Sequence, residues 1–236
     1  MRLVLASNNA KKLAELRGLL GGLGLELAPQ GQFGIAEADE PHHTFVENAL
    51  AKARHAARAA GGAAIADDSG LCVPALAGEP GVHSATFAGL VRQGSGDREE
   101  RRRMQDAANN ALLLQRLAAH AAGVPDFGHA AHATHAVGVG AATRSAYFAC
   151  TLVALRHAED PEPLIATGRW PGTVLEAPRG YGGFGYDPLL FIPVLGSTVA
   201  ELAPDVKNRH SHRAIAARAM RELLASVWQL NEQRDG

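Results

Sequence analysis

The chain has 236 residues, of which 47% are hydrophobic, and this is enough apolar surface for one α/β domain or two closely joined lobes. Its 23 Lys and Arg against 24 Asp and Glu give a formal net charge of −1, which excludes the basic field typical of nucleic-acid-binding proteins. No long uncharged apolar run could span a membrane, and the two cysteines form no zinc or CxxC motif, so we expect a cytoplasmic protein with neither a membrane nor a nucleic-acid partner.

Hydrophobic patterning predicts an α/β chain. The expected order is a strand at residues 3–6, a helix at 10–20, a strand at 25–28, a helix from the capping box at Thr44 to the glycines at 61–62, and a strand at 63–66. The second half is expected to hold helices at 97–103 and 110–117, strands at 147–155, 164–167 and 173–175, a glycine-rich turn at 179–186 and a helix from Ser211. Residues 118–142, rich in Ala, Gly and His, are expected to be an insertion within a single domain of residues 1–236.

A polar segment lies where the first predicted strand gives way to a helix. Helix N-termini carry unpaired N–H groups and a partial positive charge, so phosphate binding is favoured there, and two lysines would add to the attraction. The alternative is that Asn9 merely caps a surface helix. The candidate phosphate-binding residues are Ser7, Asn8, Asn9, Ala10, Lys11 and Lys12.

Two adjacent carboxylates, Asp67 and Asp68, come at the predicted end of a buried strand. Such carboxylates repel one another unless a proton or a cation intervenes, and Mg²⁺, which prefers oxygen ligands and keeps several waters, is the natural cation. Asp39 and Glu40, in a polar loop, could supply further ligands. The alternative is an ordinary turn in which the Asp side chains bond to nearby backbone N–H groups.

Glycines and aromatic residues cluster at residues 180–188. Glycine permits close backbone approach and an aromatic face can stack on a base, so a base-binding loop is one interpretation. The other is a β-turn whose Phe184 and Tyr186 point into the core. The basic residues that could donate hydrogen bonds to a base or phosphate are Lys207, His212 and Arg213.

In their residues and in their order along the chain, these motifs resemble the inosine triphosphate pyrophosphatase family, also called the non-canonical purine NTP or dITP/XTP pyrophosphatases. The matching segments are residues 6–12, 44–49 with 52–53, 66–71, 80–82 with 84–85, 182–188, 200–202, 207–208 and 211–213. The resemblance implies an elongated, two-lobed α/β fold with a central mixed β-sheet flanked by helices, an active-site cleft between the lobes, and usually a homodimer.

The resemblance also implies an enzyme that uses Mg²⁺ to hydrolyse ITP, dITP and XTP to the monophosphate and pyrophosphate. Such an enzyme removes non-canonical purines from the nucleotide pool and keeps them out of DNA and RNA. Asp68 would be the catalytic acid–base residue and a metal ligand, with Asp39 or Glu40 as its acidic partner, while Asp67 as the base is the alternative. Residues 7–12 would hold the triphosphate. The other substrate-binding residues would be Ser69, Phe184, Gly185, Tyr186, Asp187, Lys207, His212 and Arg213.

Discrimination against ATP would follow if a donor such as Arg213 faced the purine 6-position, because a 6-oxo group accepts a hydrogen bond and a 6-amino group does not. Two other functions stay open on the sequence. One is a related pyrophosphatase for pyrimidine or modified nucleotides; the other is a nucleotide- or nucleic-acid-binding module in which the acidic pair is only structural.

Overall fold

The computed structural model describes residues 1–90, 97–123 and 141–230, and within them the chain forms five α-helices and seven β-strands. The strands are β1 Arg2–Leu5, β2 Glu26–Pro29, β3 Ala64–Cys72, β4 Ser145–Leu155, β5 Leu164–Val174, β6 Leu190–Ile192 and β7 Ser197–Thr198. The helices are α1 Ala10–Leu19, α2 Phe45–Ala60, α3 Arg98–Ala121, α4 Pro204–His210 and α5 His212–Ser226. No helix among the described residues is both long and apolar enough to cross a membrane.

The strands form one mixed sheet in the order β2-β1-β3-β4-β5-β6-β7. Strand β1 pairs in parallel with β2 and β3, while β6 pairs antiparallel with β5 and β7. This arrangement confirms the predicted α/β class with a mixed sheet flanked by helices. The chain divides into two compact units, the first comprising Met1–Ser69, Ala149–Arg169 and Asn208–Gly236, and the second Gly70–Phe148 and Trp170–Lys207. The single domain of residues 1–236 stays a prediction.

Two apolar clusters build the first unit. Leucines of α1, including Leu16 and Leu20, pack with Met220 and Leu224 of α5. The second cluster uses the alanine stripe of α2, where small side chains let the helix lie close to the strands. Thr44 caps α2 by accepting from the Glu47 backbone N–H, as the capping box predicts.

The core of the second unit contains larger side chains than the alanine-rich cluster of the first unit. Leu113 and Leu117 of α3 pack there with Phe148 and Trp170. Cys72 is also buried in this unit. The predicted packing roles of Cys72 and Trp170 are therefore confirmed.

Three elements differ from the sequence predictions. Strand β3 runs through the acidic pair to Cys72, because Leu71 and Cys72 are buried and continue the strand. The two helices expected near residues 97–117 are one helix, α3, and residues 164–174 are one strand. Helix α3 also includes residues 118–121 of the predicted insertion, whose central part, 124–140, lies outside the described residues.

Candidate active site

The acidic pair lies inside a strand, so its two side chains point to opposite faces. Both are buried, Asp67 at 3% and Asp68 at 5% exposure. Neither a turn nor two repelling carboxylates at a strand end, the two situations expected from the sequence, describes this geometry. Each carboxylate has its own cationic partner in the first unit.

The Asp67 carboxylate is saturated with hydrogen bonds. It accepts from Lys12 Nζ, from Arg213 Nε at 3.0 Å, from Ser69 Oγ at 3.1 Å and from Cys150 Sγ at 3.1 Å. Burial by itself would raise the pKa of Asp67, but the charges of Arg213 and Lys12 hold that pKa well below its usual range. Asp67 is therefore a fixed anion with little capacity to take a proton.

Arg213 is fully enclosed at the start of α5, at 2% exposure. Besides Asp67, its guanidinium donates to the Glu15 carboxylate and, at 3.2 Å, to Ser69 Oγ. Ser211 caps the helix by accepting from a backbone N–H, and His212 is buried next to it. Three of the five N–H groups of the Arg213 guanidinium thus donate to protein acceptors, and the expectation that Arg213 donates to the purine 6-position stays a prediction.

Asp68 has a different environment. Its Oδ1 accepts from Lys52 Nζ at 2.9 Å, and the same ammonium donates to Glu40 at 3.0 Å. Its Oδ2 is buried, and no donor from residues 1–90, 97–123 or 141–230 reaches it. Burial raises the pKa of Asp68 to about 6; the Lys52 charge opposes this rise and the Glu40 carboxylate adds to it. Asp68 can therefore exchange a proton near neutral pH.

Glu40 rather than Asp39 belongs to this cluster. Although burial acts against it, the neighbouring Lys52 charge lowers the pKa of Glu40. The loop that carries Glu40 is held by Asn48 of α2, which accepts from the His42 backbone N–H at 3.0 Å and donates to its carbonyl at 3.2 Å. Asp39 is exposed and, as far as the chain is described, its side chain forms no hydrogen bond or ion pair.

The residues present fit a magnesium ion. Mg²⁺ is commonly held by one or two protein carboxylates together with substrate phosphates and waters. Asp68 Oδ2 is a buried oxygen that no donor of the described residues reaches, and the Glu40 carboxylate interacts with Asp68. Within the described ranges, no group of three or more His, Cys, Asp or Glu side chains could hold a metal, so substrate oxygens would have to complete the coordination.

The predicted phosphate segment is ordered by its own side chains. Asn9 caps α1, because its Oδ1 accepts from the backbone N–H groups of Lys11 at 3.0 Å and Lys12 at 3.3 Å. Ser7 Oγ accepts from the Asn9 N–H at 3.1 Å, and Asn8 lies against Gly31. Ala10 opens the helix and is exposed. The capping alternative is thus part of the structure, and three backbone amides of the segment expected to bind phosphate are already engaged.

In the second unit, Asp187 organises the glycine-rich loop. Its Oδ2 accepts from the Phe184 backbone N–H at 2.9 Å and from Lys207 Nζ at 2.7 Å. Gly183 has a φ of +75°, and a Cβ there would lie 2.8 Å from Asp187 Cγ, so glycine is required. Phe184 is only half-buried, as a surface for stacking needs to be.

Tyr186 follows the other interpretation of this loop. It is buried at 4% exposure, and its hydroxyl donates to the Ser84 carbonyl at 3.0 Å. Burial also raises the pKa of Tyr186. The inward β-turn interpretation therefore fits Tyr186, and the stacking interpretation fits Phe184.

Three residues of the acidic clusters were not singled out as site residues by the sequence: Lys52, Glu15 and Cys150. Lys52 carried a signal, because it interrupts the alanine stripe formed by Ala49, Ala53 and Ala56 on the buried face of α2. A charge on an apolar helix face needs a buried partner. Glu15 and Cys150 lie in ordinary helix and strand patterns, which give no such signal.

Comparison with known proteins identifies the class to which this α/β chain belongs. The sequence model of the Ham1 family matches residues 3–223, and the chain is a member of the Ham1 family. A dITP/XTP pyrophosphatase of Methylibium petroleiphilum is 60% identical over 97% of this chain and 99% of its own. A dITP/XTP pyrophosphatase of Leptothrix cholodnii is 58% identical over 98% of this chain and 100% of its own. The solved structure of a HAM1 protein from Coxiella burnetii has a TM-score of 0.77 and 38% identity, covering 95% of this chain and 98% of that one.

Proposed function

We propose that the protein is a nucleoside triphosphate pyrophosphatase that hydrolyses dITP, XTP and ITP to the monophosphate and pyrophosphate. In this way it removes non-canonical purines from the nucleotide pool. Family membership and the activity named for its relatives support this function. The observation that carries it is the division between the two carboxylates, since Asp67 is saturated by donors whereas Asp68 keeps a buried, unpartnered oxygen.

The division supports Asp68 as the group that transfers the proton. Its carboxylate takes a proton from the attacking water as the water oxygen bonds to the α-phosphorus. The bond between the α-phosphorus and the bridging oxygen breaks, and its electron pair leaves with pyrophosphate. A Mg²⁺ ion held by Asp68 and Glu40 would neutralise charge on the phosphate oxygens. Lys52 holds both carboxylates in place, and Asp67 fixes the position of Lys12.

The remaining roles follow from the position of each group within its own unit. We assign the triphosphate to Ser7, Asn8, Ala10, Lys11 and Lys12, with Asn9 holding the segment in shape. We assign the base to the ring of Phe184, supported by Gly185, Asp187 and Lys207. Ser69, His212 and Arg213 remain proposed substrate contacts, while Tyr186 acts by positioning. We also propose that the protein is a cytoplasmic homodimer without nucleic-acid or membrane partners.

Product analysis tests the reaction. The protein is incubated with Mg²⁺ and, separately, with ITP, XTP, dITP, ATP and GTP, and the products are separated by ion exchange. We expect IMP and pyrophosphate from ITP, with ATP and GTP largely intact. Diphosphate and orthophosphate would mean attack at the γ-phosphorus and would refute the mechanism. No turnover of any of these five nucleotides would favour the other functions left open by the sequence.

Carboxamide variants test the residues. Asp68→Asn and Glu40→Gln should lose turnover while keeping the wild-type circular dichroism spectrum and melting temperature within a few degrees. Asp39→Asn is the matched control, because Asp39 is exposed and lies outside the cluster, and it should keep full activity. If Asp39→Asn inactivated the enzyme and Glu40→Gln did not, the metal assignment would be reversed.

A further inference from the structure

The polar loop that carries Glu40 runs beside helix α2 and is bound by a stripe of polar side chains on that helix. The members of the stripe are spaced at i, i+4 and i+7, so they share one face of the helix: Asn48, Lys52 and His55. The loop groups that they bind are, in the same order, the His42 backbone, the Glu40 carboxylate and the Ala36 carbonyl. The loop therefore follows α2 in the opposite chain direction. The two outer contacts, which we call the His42 tether and the Ala36 tether, lie on either side of Glu40.

The His42 tether leaves little slack in the chain. Asn48 and Lys52 are about 6 Å apart along the axis of α2. The two residues from Glu40 to His42 span about 7 Å when fully extended, which is close to that separation. Between them lies Pro41, whose ring fixes its own φ, and the residue before a proline is restricted to extended conformations. Fixing the backbone of His42 therefore also restricts the position and direction of Glu40.

The Ala36 tether, in contrast, is slack. His55, whose Nε2 donates to the Ala36 carbonyl at 3.1 Å, comes three residues after the lysine of the stripe, about 4.5 Å along the helix. The four residues from Ala36 to Glu40 could span about 14 Å, and none of the residues between them is a proline. Within this stretch Glu37 accepts from Asn8 at 3.5 Å, a distance at which a hydrogen bond is weak. Ala36 can therefore shift without displacing Glu40.

We propose that Asn48 is a positioning residue for the metal and acts on Glu40 through Pro41. Its amide binds both polar groups of the His42 backbone, at 3.0 and 3.2 Å, and Asn48 is only 1% exposed. This inference rests on the proposed function, in which Glu40 and Asp68 would hold Mg²⁺. Without the His42 tether, Glu40 keeps its charge but loses its fixed direction. Metal binding then weakens, whereas the chemical step at saturating metal does not slow.

Metal binding to the free protein gives the direct test. The probe is Mn²⁺, which prefers oxygen ligands as Mg²⁺ does and whose electron paramagnetic resonance signal falls when it binds. Asn48→Ala should raise the Mn²⁺ dissociation constant by about 10- to 100-fold, the range for loss of an outer partner of a metal ligand. The Mg²⁺ concentration for half-maximal pyrophosphate release from ITP should rise in proportion, while kcat at saturating Mg²⁺ stays within about twofold. His55→Ala, which removes the Ala36 tether, is the matched control and should equal the wild type in all three measurements.

An exposed residue supplies a second variant that leaves the buried face of α2 intact. Pro41→Ala should raise the Mn²⁺ dissociation constant by about two- to fivefold, the effect of the chain freedom that a proline removes. His43→Ala, exposed on the far side of the His42 tether, is its control and should equal the wild type. If Pro41→Ala bound Mn²⁺ as tightly as His43→Ala, the action through Pro41 would be refuted.

The remaining outcomes separate this inference from the proposed function. Equal Mn²⁺ dissociation constants for Asn48→Ala and His55→Ala, or a loss of kcat in Asn48→Ala that saturating Mg²⁺ does not restore, would overturn the positioning role and leave the proposed function intact. Wild-type protein that binds no Mn²⁺ would refute the metal site and, with it, this inference. Wild-type protein that binds Mn²⁺ but releases no pyrophosphate from ITP would instead refute the proposed function.

Discussion

Replacing Arg213 by Met removes the charge at the centre of the most buried ionic cluster in the first unit. The guanidinium donates to Asp67, Glu15 and Ser69, and its side chain is 2% exposed. Methionine keeps most of the volume and cannot donate a hydrogen bond. The Asp67 carboxylate, with 0% side-chain exposure, would then depend on Lys12 for charge compensation.

The expected cost follows from this burial. Breaking a buried ion pair by removing one partner costs about 3–5 kcal/mol, because the remaining charge stays out of water. For a chain of this size each kcal/mol lowers the melting temperature by about 2–4 °C, so we expect a loss of roughly 6–20 °C. The double variant Arg213→Met with Asp67→Asn should lose less than the sum of the single variants, because the uncompensated carboxylate is gone.

An exposed arginine gives the matched control. Arg58 pairs with Glu159 at 3.2 Å, with side chains 65% and 73% exposed, so Arg58→Met should cost less than about 1 kcal/mol. Thermal unfolding followed by circular dichroism, with urea unfolding as a second measure, compares the two variants. An Arg213→Met protein that melts within a degree or two of Arg58→Met would refute the stabilising role given to this cluster.

Three further predictions concern stability and cofactor removal. Gly168→Ala places a Cβ about 2.6 Å from the Ala216 backbone nitrogen and should cost about 1–3 kcal/mol by urea unfolding, whereas Gly62→Ala, with open space around it, should be nearly neutral. The Arg156 hydrogen bond lowers the pKa of the buried Asp160, so its stabilisation is complete above the unfolded pKa of about 4 and is lost as pH falls below it. The stability gap between wild type and Asp160→Asn should therefore shrink from pH 7 to pH 3; a constant gap would contradict this sign. EDTA should abolish pyrophosphate release and added Mg²⁺ should restore it, without a change in fold.

The sequence predicts the elements that local chemistry determines. The capping box at Thr44 and the cap at Asn9 mark the starts of α2 and α1, where side-chain oxygens bond to backbone N–H groups of the same helix. The end of β3 could not be predicted in this way. Acidic residues are unfavourable in strands, and tertiary partners, Lys12 and Arg213 for Asp67 and Lys52 for Asp68, make them acceptable there.

The candidate site shows the same limit. Sequence reasoning proposes the reactive groups from residue type and family resemblance, and it leaves Asp39 and Glu40 undecided. The choice between Asp39 and Glu40 depends on Asn48, whose side chain hydrogen-bonds to the backbone N–H and carbonyl of His42 and so fixes the loop carrying Glu40. The contact between Arg213 and Glu15 could not be predicted, because the two residues are distant in the chain and have no recognisable spacing.

The alternation of Asp67 and Asp68 along β3 makes strand register a determinant of chemistry. Parallel pairing of Val4 with Ala64 and of Leu5 with Ile65 sets which residue of the pair faces which side. A shift of one position would exchange the two environments, placing the reactive carboxylate among saturating donors and the other beside Lys52. Single-residue insertions or deletions early in β3 should therefore inactivate the enzyme even when both aspartates remain. Activity thus depends more strictly on the number of residues in β3 than on their types.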